Sequence, residues 1–220
     1  MLKDKLVALK KSLIEQSLLV QKMIESSFLG LFQKEIKLLE KVLELELLVN
    51  QKEIEIEMDC TALIACFHPE AKDLRLILMI MKMNLILEKM GNLALSNAKS
   101  ARFLLQHPYN SSLIDLASMA KETINMLKNS INAFITEDVM LSKQICKNDD
   151  VVDRLNSKIF KKLVTEVIPT PPTIESAFHM NNISKNLERI ADLATNLAED
   201  TVFIAQGQIF KHNSLIKDLA

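Results

Sequence analysis

Chain-breaking residues are scarce in this sequence, and their scarcity constrains the fold more than any other feature. Only three of its 220 residues are glycine and five are proline, far below the combined share of about one residue in eight in ordinary proteins. Tight hairpins depend on these residues, so little room is left for an architecture of many short strands. Dinucleotide-binding and phosphate-binding loops need two or three closely spaced glycines, and their absence excludes those nucleotide folds.

Between the breaks, apolar residues recur every three or four positions, which is the period of an amphipathic helix. The pattern predicts an all-α protein, with six helices at about 2–28, 31–66, 70–106, 112–133, 136–168 and 173–206. We place the breaks at Gly30, His68-Pro69, 107–110, 169–172 and Gly207, while the break between the fourth and fifth helices carries neither Gly nor Pro. A helix of about 35 residues is about 52 Å long, so these helices must pack side by side in bundles.

The chain also repeats itself. The segment EKMGNLA at 88–94 aligns with ERIADLA at 188–194, an offset of 100 residues, and the second and fifth helices align at an offset of 103. A repeat of this length predicts two tandem three-helix bundles, each of which buries its own apolar seam. We place the first repeat at 1–108 and the second at 109–220.

Charge and hydropathy limit the partners. The chain has 27 Lys and Arg against 28 Asp and Glu, a net charge of −1, which disfavours electrostatic binding to nucleic acid. The longest stretch without a charged residue, 103–114, is shorter than the roughly 20 apolar residues that span a bilayer. The first residues lack the pattern of a secretory signal. We therefore expect a cytoplasmic protein that neither binds nucleic acid nor inserts into a membrane.

Carboxylates gather on the outward face of the last helix. At about 100° per residue, one polar stripe runs opposite the apolar seam of this helix, and it consists of Glu188, Asp192, Asn196 and Glu199. Asp149 and Asp153 lie one turn apart on the preceding helix. If the two helices are antiparallel neighbours, the acids converge, and clustered carboxylates suit cations that prefer oxygen ligands. Spacing alone leaves open the alternative that these acids only solvate the surface.

Other functional classes are less well supported by the sequence. No Ser, Cys or His stands where it would complete a nucleophilic set with the carboxylates, and no histidine has Glu three positions before it, as a ferritin-like di-iron site requires. Two alternatives stay open. The first is a structural or membrane-surface helical protein without metal. Its polar face should be rich in Lys and Arg, whereas the polar face of the last helix is acidic. A carboxylate–metal hydrolase should enclose its site and exclude water.

Several motifs resemble those of the PhoU family of bacterial phosphate-signalling regulators. The stretch LERIADLATNLAED at 187–200, followed by GQIFKH at 207–212, is similar to the C-terminal signature of the family. The HP and DLR residues at 68–75 resemble the family's entry to its third helix, and DDVVD at 149–153 resembles its second acidic motif. The resemblance covers nearly the whole chain and implies a fold of two three-helix bundles.

The resemblance also implies a function. Members of this family are cytoplasmic, non-enzymatic accessories of the phosphate ABC transporter that commonly form homodimers. The resemblance implies an adaptor between the transporter's ATPase subunit and a membrane sensor histidine kinase. Such an adaptor restrains the phosphate-starvation response when phosphate is plentiful.

A metal site follows from the same resemblance. The acidic motifs of several members bind divalent cations, which implies iron, zinc or magnesium at Asp149, Asp153, Glu188, Asp192, Asn196 and Glu199. The first repeat departs from this pattern, since its counterparts are Glu46, Asn50, Glu88, Asn92, Ser96 and Lys99. Two acids remain there, and a lysine opposes a divalent cation. We therefore expect metal in the second repeat, and none or much weaker binding in the first.

A second asymmetry concerns the third helix. Four apolar residues continue its motif face, namely Leu74, Leu78, Met81 and Leu85, whereas the counterparts of the last two are Asn181 and Lys185. A helix that is apolar on both sides needs a second partner. We expect the other repeat to cover this patch, with a protein partner as the alternative. Asp73 and Arg75 are further candidates for partner contact, although Asp in the first turn of a helix is also an ordinary choice.

Overall fold

The computed structural model describes residues 1–107, 113–167 and 174–210, and six helices account for nearly all of them. The helices are α1 Leu2–Phe32, α2 Ile36–Phe67, α3 Ala71–Gln106, α4 Leu113–Thr136, α5 Val139–Val167 and α6 Ile174–Gln206. Helices α1, α2 and α3 pack on one another, as do α4, α5 and α6. The predicted fold class, two tandem three-helix bundles, is confirmed.

Each bundle is built on the apolar seam that the sequence pattern predicts. In α6 the residues spaced alternately by four and three are all buried, namely Ile183, Leu187, Ile190, Ala194, Leu197, Thr201 and Ile204. Burial of one large aliphatic side chain contributes about 1.5–3 kcal/mol, so these seams dominate the stability of each bundle. None of the described helices combines the length and apolar character needed to cross a bilayer.

The two bundles meet through α3 and α6, with a smaller contact between α1 and α4. Helices α3 and α6 are antiparallel, because Lys82 near the start of α3 pairs with Asp200 near the end of α6. Farther along, Asn182 Nδ2 donates to Ser100 Oγ at 2.9 Å. This contact leaves α2 and α5 on either side of the molecule, α2 packed on α1 and α3, and α5 packed on α4 and α6.

The predicted break at Gly30 is wrong, because α1 continues to Phe32. A Cβ atom at Gly30 would lie 2.4 Å from Cδ2 of Leu39, so glycine is required there for the close approach of α2. The chain leaves the helix two residues after Phe32, at Lys34, which has a positive φ of 55°. The N–H of Glu35 then donates to the carbonyl of Gly30 at 3.0 Å, which is the hydrogen bond of a Schellman cap.

The same turn joins α4 to α5, where the sequence carries neither Gly nor Pro. Glu137 has a positive φ of 53°, and the N–H of Asp138 donates to the carbonyl of Ala133 at 3.0 Å. The carboxylate of Asp138 then caps α5 by accepting the N–H groups of Met140 and Leu141 at 2.8 and 3.0 Å. Helix α4 therefore extends to Thr136, three residues beyond its predicted end.

The remaining predicted breaks fall into two groups. His68 and Gly207, with positive φ values of 45° and 68°, follow the last residues of α2 and α6, as predicted. The predicted break at 107–110 is described only at His107, and the break at 169–172 lies outside the described residues. The predicted boundary between the repeats at 108–109 also lies outside them.

Candidate metal site

Helices α5 and α6 bring three predicted ligands together. Asp149 and Asp153 lie one turn apart on α5, and Asp192 lies on α6, which packs directly against α5. Each of the three offers a carboxylate oxygen, and these oxygens all lie within 4.8 Å of one another. Three carboxylates at this separation form an oxygen-rich set of the kind that divalent cations prefer.

The negative charges of the cluster repel one another, and this is seen in the raised pKa values of two of its carboxyl groups. Burial, followed by the charges of Asp192 and Asp153, raises the pKa of Asp149 to about 7. One oxygen of Asp149, Oδ1, is buried and accepts no hydrogen bond. Burial is also the main cause that raises the pKa of Asp192, with Glu188 and Asp153 adding to it. The charge of Arg189 offsets only part of this effect at Asp192, and a bound cation would neutralise the cluster further.

The other three predicted ligands lie around this cluster and not within it. Glu188 is half-buried and contributes to the raised pKa values of Asp149 and Asp192. Asn196 and Glu199 line a groove of about 970 Å³ together with the same two aspartates. The structure thus places all six predicted positions at the α5–α6 contact, with three of them close enough to share one ion.

The groove has further lining residues that the sequence pattern did not single out. Cys146 lies one turn before Asp149, and burial raises the pKa of its thiol to about 11. Lys143 and Phe210 also line the groove, with Lys143 Nζ at 5.7 Å from the centroid of the Phe210 ring. Phe210 belongs to the GQIFKH motif, and this motif was the sequence signal that could have pointed to its place in the groove. The last two residues of the motif lie outside the described residues.

The first repeat does not assemble the equivalent site. Asn50 Nδ2 donates to Glu46 Oε1 at 3.1 Å, and Asn92 Nδ2 donates to Glu88 Oε1 at 2.6 Å. Each amide therefore takes up a carboxylate oxygen that a metal ion would use, and does so without adding charge. Within the described part of the chain, the three aspartates of the second repeat form the one cluster of at least three carboxylate, imidazole or thiol ligands at this spacing.

The last two first-repeat counterparts also serve other contacts. Ser96 Oγ accepts hydrogen bonds from the amides of Asn182 and Asn186 at 3.3 and 3.1 Å, so it belongs to the contact between the repeats. Lys99 is exposed. Neither residue therefore acts with Glu46 and Glu88 as a member of an oxygen-ligand cluster.

The apolar patch on α3 is covered only in part. Leu74 and Met81 are half-buried, but Leu78 and Leu85 remain 42% and 46% exposed. The expectation that the other repeat covers the whole patch is therefore wrong.

Asp73 and Arg75 have structural contacts of their own. The N–H of Asp73 donates to the carbonyl of Glu70 at 3.1 Å in the first turn of α3. The guanidinium carbon of Arg75 lies 3.3 Å from the point where Gly207 would carry a Cβ atom. Arg75 therefore packs against the end of α6, where Gly207 has no side chain to crowd it and adopts a positive φ of 68° that favours glycine.

The fold and the site define a class: an all-α protein of two tandem three-helix repeats with a carboxylate cluster on one of them. The PhoU domain model matches this chain twice, at residues 13–101 and 116–201. The chain belongs to the PhoU family, and the resemblance seen in its motifs is confirmed.

Known proteins of this family match most of the chain. The phosphate-specific transport system accessory protein PhoU homolog of Aquifex aeolicus is 32% identical over 206 residues, which cover 94% of this chain and 93% of that protein. The phosphate-specific transport system accessory protein PhoU of Escherichia coli is 28% identical over 194 residues, 88% of this chain and 80% of its own. The crystal structure of PhoU from Pseudomonas aeruginosa superposes with a TM-score of 0.91 at 26% identity, covering 94% of this chain and 100% of that one.

Proposed function

We propose that this protein is a cytoplasmic, non-enzymatic regulator of phosphate uptake. It acts as an adaptor between the ATPase subunit of a phosphate ABC transporter and a sensor histidine kinase, and it restrains the phosphate-starvation response when phosphate is plentiful. The proposal is supported by relatives of similar length that are named accessory proteins of phosphate-specific transport systems.

We further propose that the second repeat binds a divalent cation, namely iron, zinc or magnesium. The observation that carries this proposal is the group of three carboxylates within 4.8 Å, formed by Asp149, Asp153 and Asp192. Glu188, Asn196 and Glu199 surround it as additional oxygen ligands. The cation would neutralise the cluster and fix α5 against α6, so occupancy would set the shape of the surface that a partner meets.

The metal proposal is tested by titration and by diffraction. Purified protein, stripped with a chelator, is titrated calorimetrically with Zn²⁺, Mn²⁺ and Mg²⁺, the manganese standing for ferrous iron. Wild type should bind, Asp149→Asn should lose at least tenfold in affinity, and the matched first-repeat variant Glu46→Gln should bind as wild type does. Anomalous scattering should locate the ion in the second repeat. Equal occupancy of both repeats would contradict the proposal.

The adaptor proposal needs a separate experiment. Tagged protein is used to capture the transporter ATPase subunit and the sensor kinase from cells grown with and without phosphate. We expect capture that depends on phosphate supply. On α3, Leu78 and Leu85 are the exposed candidates for contact with these partners, and Leu85→Asp should weaken capture while leaving metal binding unchanged. Failure to capture either protein under both conditions would overturn the adaptor role.

A vesicle experiment separates this proposal from the membrane-surface alternative. That alternative requires a basic polar face, whereas α6 carries its acidic stripe there. We expect no sedimentation with vesicles of phosphatidylglycerol and phosphatidylethanolamine. Binding to them in the absence of the transporter would favour the alternative.

A further inference from the structure

The two repeats form a second groove where α3 packs against α6. This inter-repeat groove has a volume of about 750 Å³, which is within the range of small-ligand sites. Eight of its ten lining residues are four pairs that align at the offset of 100 residues. The pairs are Lys89 with Arg189, Asn92 with Asp192, Leu93 with Leu193, and Ser96 with Asn196. Both repeats therefore contribute equivalent positions to the groove.

Each repeat supplies one cation to the inter-repeat groove, at the same aligned position. Lys89 and Arg189 are both exposed, and neither forms an ion pair or a hydrogen bond with another residue that the structure describes. Arg189 acts on Asp192 through its charge alone, opposing the burial that raises the pKa of that carboxyl group. The donors of both cations therefore remain available to an anion from solution.

The contact between the repeats is made by other residues of the groove. Asn182 and Asn186 donate to Ser96 Oγ at 3.3 and 3.1 Å, which joins α6 to α3 without either cation. Further donors are left over for a ligand. The amide of Asn196 has no hydrogen-bond partner among the described residues, and Asn92 uses only one of its two amide N–H groups within its own helix.

We propose that the inter-repeat groove binds a tetrahedral oxyanion, of which inorganic phosphate and sulfate are the simplest members. The guanidinium of Arg189 presents paired N–H donors that match two oxygens of such an anion, and Lys89 supplies a compact charge from the other helix. The amides of Asn92 and Asn196 complete the set of donors. Among the lining residues, Asp192 is the one carboxylate, so two cations outweigh it and the groove attracts anions.

Asp192 couples the oxyanion to the metal, because it lines the inter-repeat groove and also belongs to the carboxylate cluster. Its negative charge weakens oxyanion binding in the metal-free protein. A cation held by Asp149, Asp153 and Asp192 cancels that charge, so the cation and the oxyanion each raise the affinity for the other. This coupling rests on the proposed metal site, whereas the oxyanion site itself does not depend on it.

Calorimetric titration of the full-length, chelator-stripped protein with sodium phosphate and with sodium sulfate, at constant ionic strength, tests the oxyanion site. Wild type should bind both anions, and Lys89→Ala and Arg189→Ala should each weaken binding about tenfold, because each removes charge-assisted hydrogen bonds. Lys41→Ala and Arg102→Ala are matched controls, since both residues are exposed cations outside the groove. Absence of binding by wild type, or equal losses in all four variants, would overturn the proposal.

Asp192→Asn tests the place of the oxyanion without any metal. In metal-free protein this variant should bind sulfate about threefold to tenfold more tightly than wild type, because it removes the repulsive carboxylate of the groove. Asp150→Asn, which removes an exposed acid of α5 outside the groove, should bind as wild type does. Unchanged sulfate affinity in Asp192→Asn would contradict binding in this groove.

A titration of sulfate in the presence of excess Mn²⁺ tests the coupling. Mn²⁺ should raise the sulfate affinity of wild type and leave that of Asp192→Asn unchanged, because the variant has already lost the charge that the cation cancels. Mn²⁺ that binds wild type without raising its sulfate affinity would contradict the coupling. If wild type does not bind Mn²⁺, the metal proposal fails, while the metal-free results with Lys89, Arg189 and Asp192 still decide the oxyanion site.

Discussion

At the scale of single residues, the two repeats pack the contact between their first and second helices with residues of opposite relative size. In the first repeat, Gly30 of α1 leaves space for the large side chain of Leu39 of α2. At the offset of 103, these positions are Ala133 and Ser142, both fully buried, and Ser142 Oγ donates to the carbonyl of Asp138 at 2.9 Å. The second repeat therefore uses a larger residue on the first helix and a smaller one on the second. Close-packed interiors tolerate such compensating exchanges better than either single change.

This pairing makes Gly30→Ala destabilising. The added methyl group would lie 2.4 Å from Leu39 Cδ2 and 3.2 Å from the carbonyl oxygen of Glu35, and we expect a loss of about 1–3 kcal/mol in the free energy of unfolding. Leu39→Ser alone should cost about 2–5 kcal/mol through the cavity it leaves. The double variant Gly30→Ala with Leu39→Ser carries the residues that the second repeat has at these positions. Its loss in the free energy of unfolding should be at least about 1 kcal/mol smaller than the sum of the two single losses. Urea denaturation measures all three, and additive losses would refute the compensation.

Gly91→Ala should have the opposite effect. Gly91 lies within α3, and a Cβ atom there would meet Val49 and Met23 at 3.5 and 3.6 Å, which are ordinary contact distances. The aligned residue is Ala191. Because alanine loses less backbone entropy in a helix, we expect about 0.5–1 kcal/mol of added stability. The same urea experiment checks it, and a destabilised variant would show that the core around Gly91 cannot admit a methyl group.

These two glycines show how much of a residue's role can be predicted from the sequence. The sequence predicts a helix break at Gly30 because glycine is common at helix ends, yet its role depends on a side chain from another helix. Nothing in the linear sequence states that Leu39 comes so close. The role of Gly91 was accessible through the repeat, because the aligned Ala191 shows that the position accepts a Cβ atom.

At the scale of elements, the α4–α5 turn ties the two bundles together. Glu137 Oε1 accepts a hydrogen bond from Lys10 of α1 at 3.1 Å, and Oε2 accepts one from Lys72 of α3 at 2.6 Å. The hydrogen bond from Lys72 is the main cause that lowers the pKa of Glu137, with Lys10 adding to it against the effect of burial. The turn of the second repeat is thus anchored on two helices of the first.

The lowered pKa fixes the pH dependence of this anchor. A carboxylate with a lowered folded-state pKa stabilises the fold at pH values above its unfolded pKa, and the effect is lost as pH falls through the folded value. Because Lys72 is 56% exposed and screened by solvent, we expect Glu137→Gln to cost only about 0.5–1 kcal/mol at pH 7. The difference from wild type should shrink as pH falls below the unfolded pKa and should be gone once pH is below the folded-state value.

Thermal unfolding between pH 3 and 8 measures this difference, with the exposed Glu40→Gln as the control for loss of a single charge. A Glu137 effect that does not diminish as pH falls through the acid range would mean that the residue acts through packing or backbone geometry and not through its charge. High salt should reduce the effect at pH 7, since screening weakens partly exposed ion pairs.

The turns also show which helix ends could be predicted from the sequence and which could not. Asp138 is a typical N-cap residue, so the start of α5 was within reach of the sequence. Lys34 and Glu137 adopt left-handed backbone conformations that favour glycine or asparagine. Their conformation is imposed by the helices they connect, which is why the end of α4 was placed three residues too early.

At the scale of the whole molecule, the two repeats are related by an approximate two-fold axis between α3 and α6. Lys82 and Ser100 align with Asn182 and Asp200 at the offset of 100. The ion pair of Lys82 with Asp200 and the hydrogen bond of Asn182 to Ser100 are therefore the same contact, made twice with different chemistry. The architecture is symmetric, while charge is distributed differently in each half.

The candidate site and the repeat contact differ in how well the sequence predicted them. The acidic residues share helical faces, and helical periodicity combined with the repeat was enough to bring Asp149, Asp153 and Asp192 to one place in the prediction. The contact between the repeats was not accessible in the same way. How closely α6 approaches each part of α3 depends on the relative orientation of two complete bundles, so the exposure of Leu78 and Leu85 had to come from the structure.

The divergence of the two halves predicts opposite effects for two reciprocal substitutions. Asp192→Asn should raise the Tm of metal-free protein at pH 7, because burial and neighbouring acids raise the pKa of Asp192 and its ionised form opposes folding. An amide at this position could also donate to Glu188, as Asn92 does to Glu88. Asn92→Asp should lower the Tm, because it replaces that hydrogen bond with a repulsion between two carboxylates.

Calorimetry with and without a divalent cation distinguishes a site that binds metal from an acidic surface that only faces water. Wild type should gain Tm on addition of excess Zn²⁺ or Mn²⁺, since a ligand bound by the folded state alone stabilises it, and Asp192→Asn should lose most of that gain. A carboxylate cluster retained at a cost in metal-free stability is the expected signature of a functional site. If Asp192→Asn instead lowers the metal-free Tm, its carboxylate stabilises the fold directly, and the first repeat has lost a structural element and not a ligand.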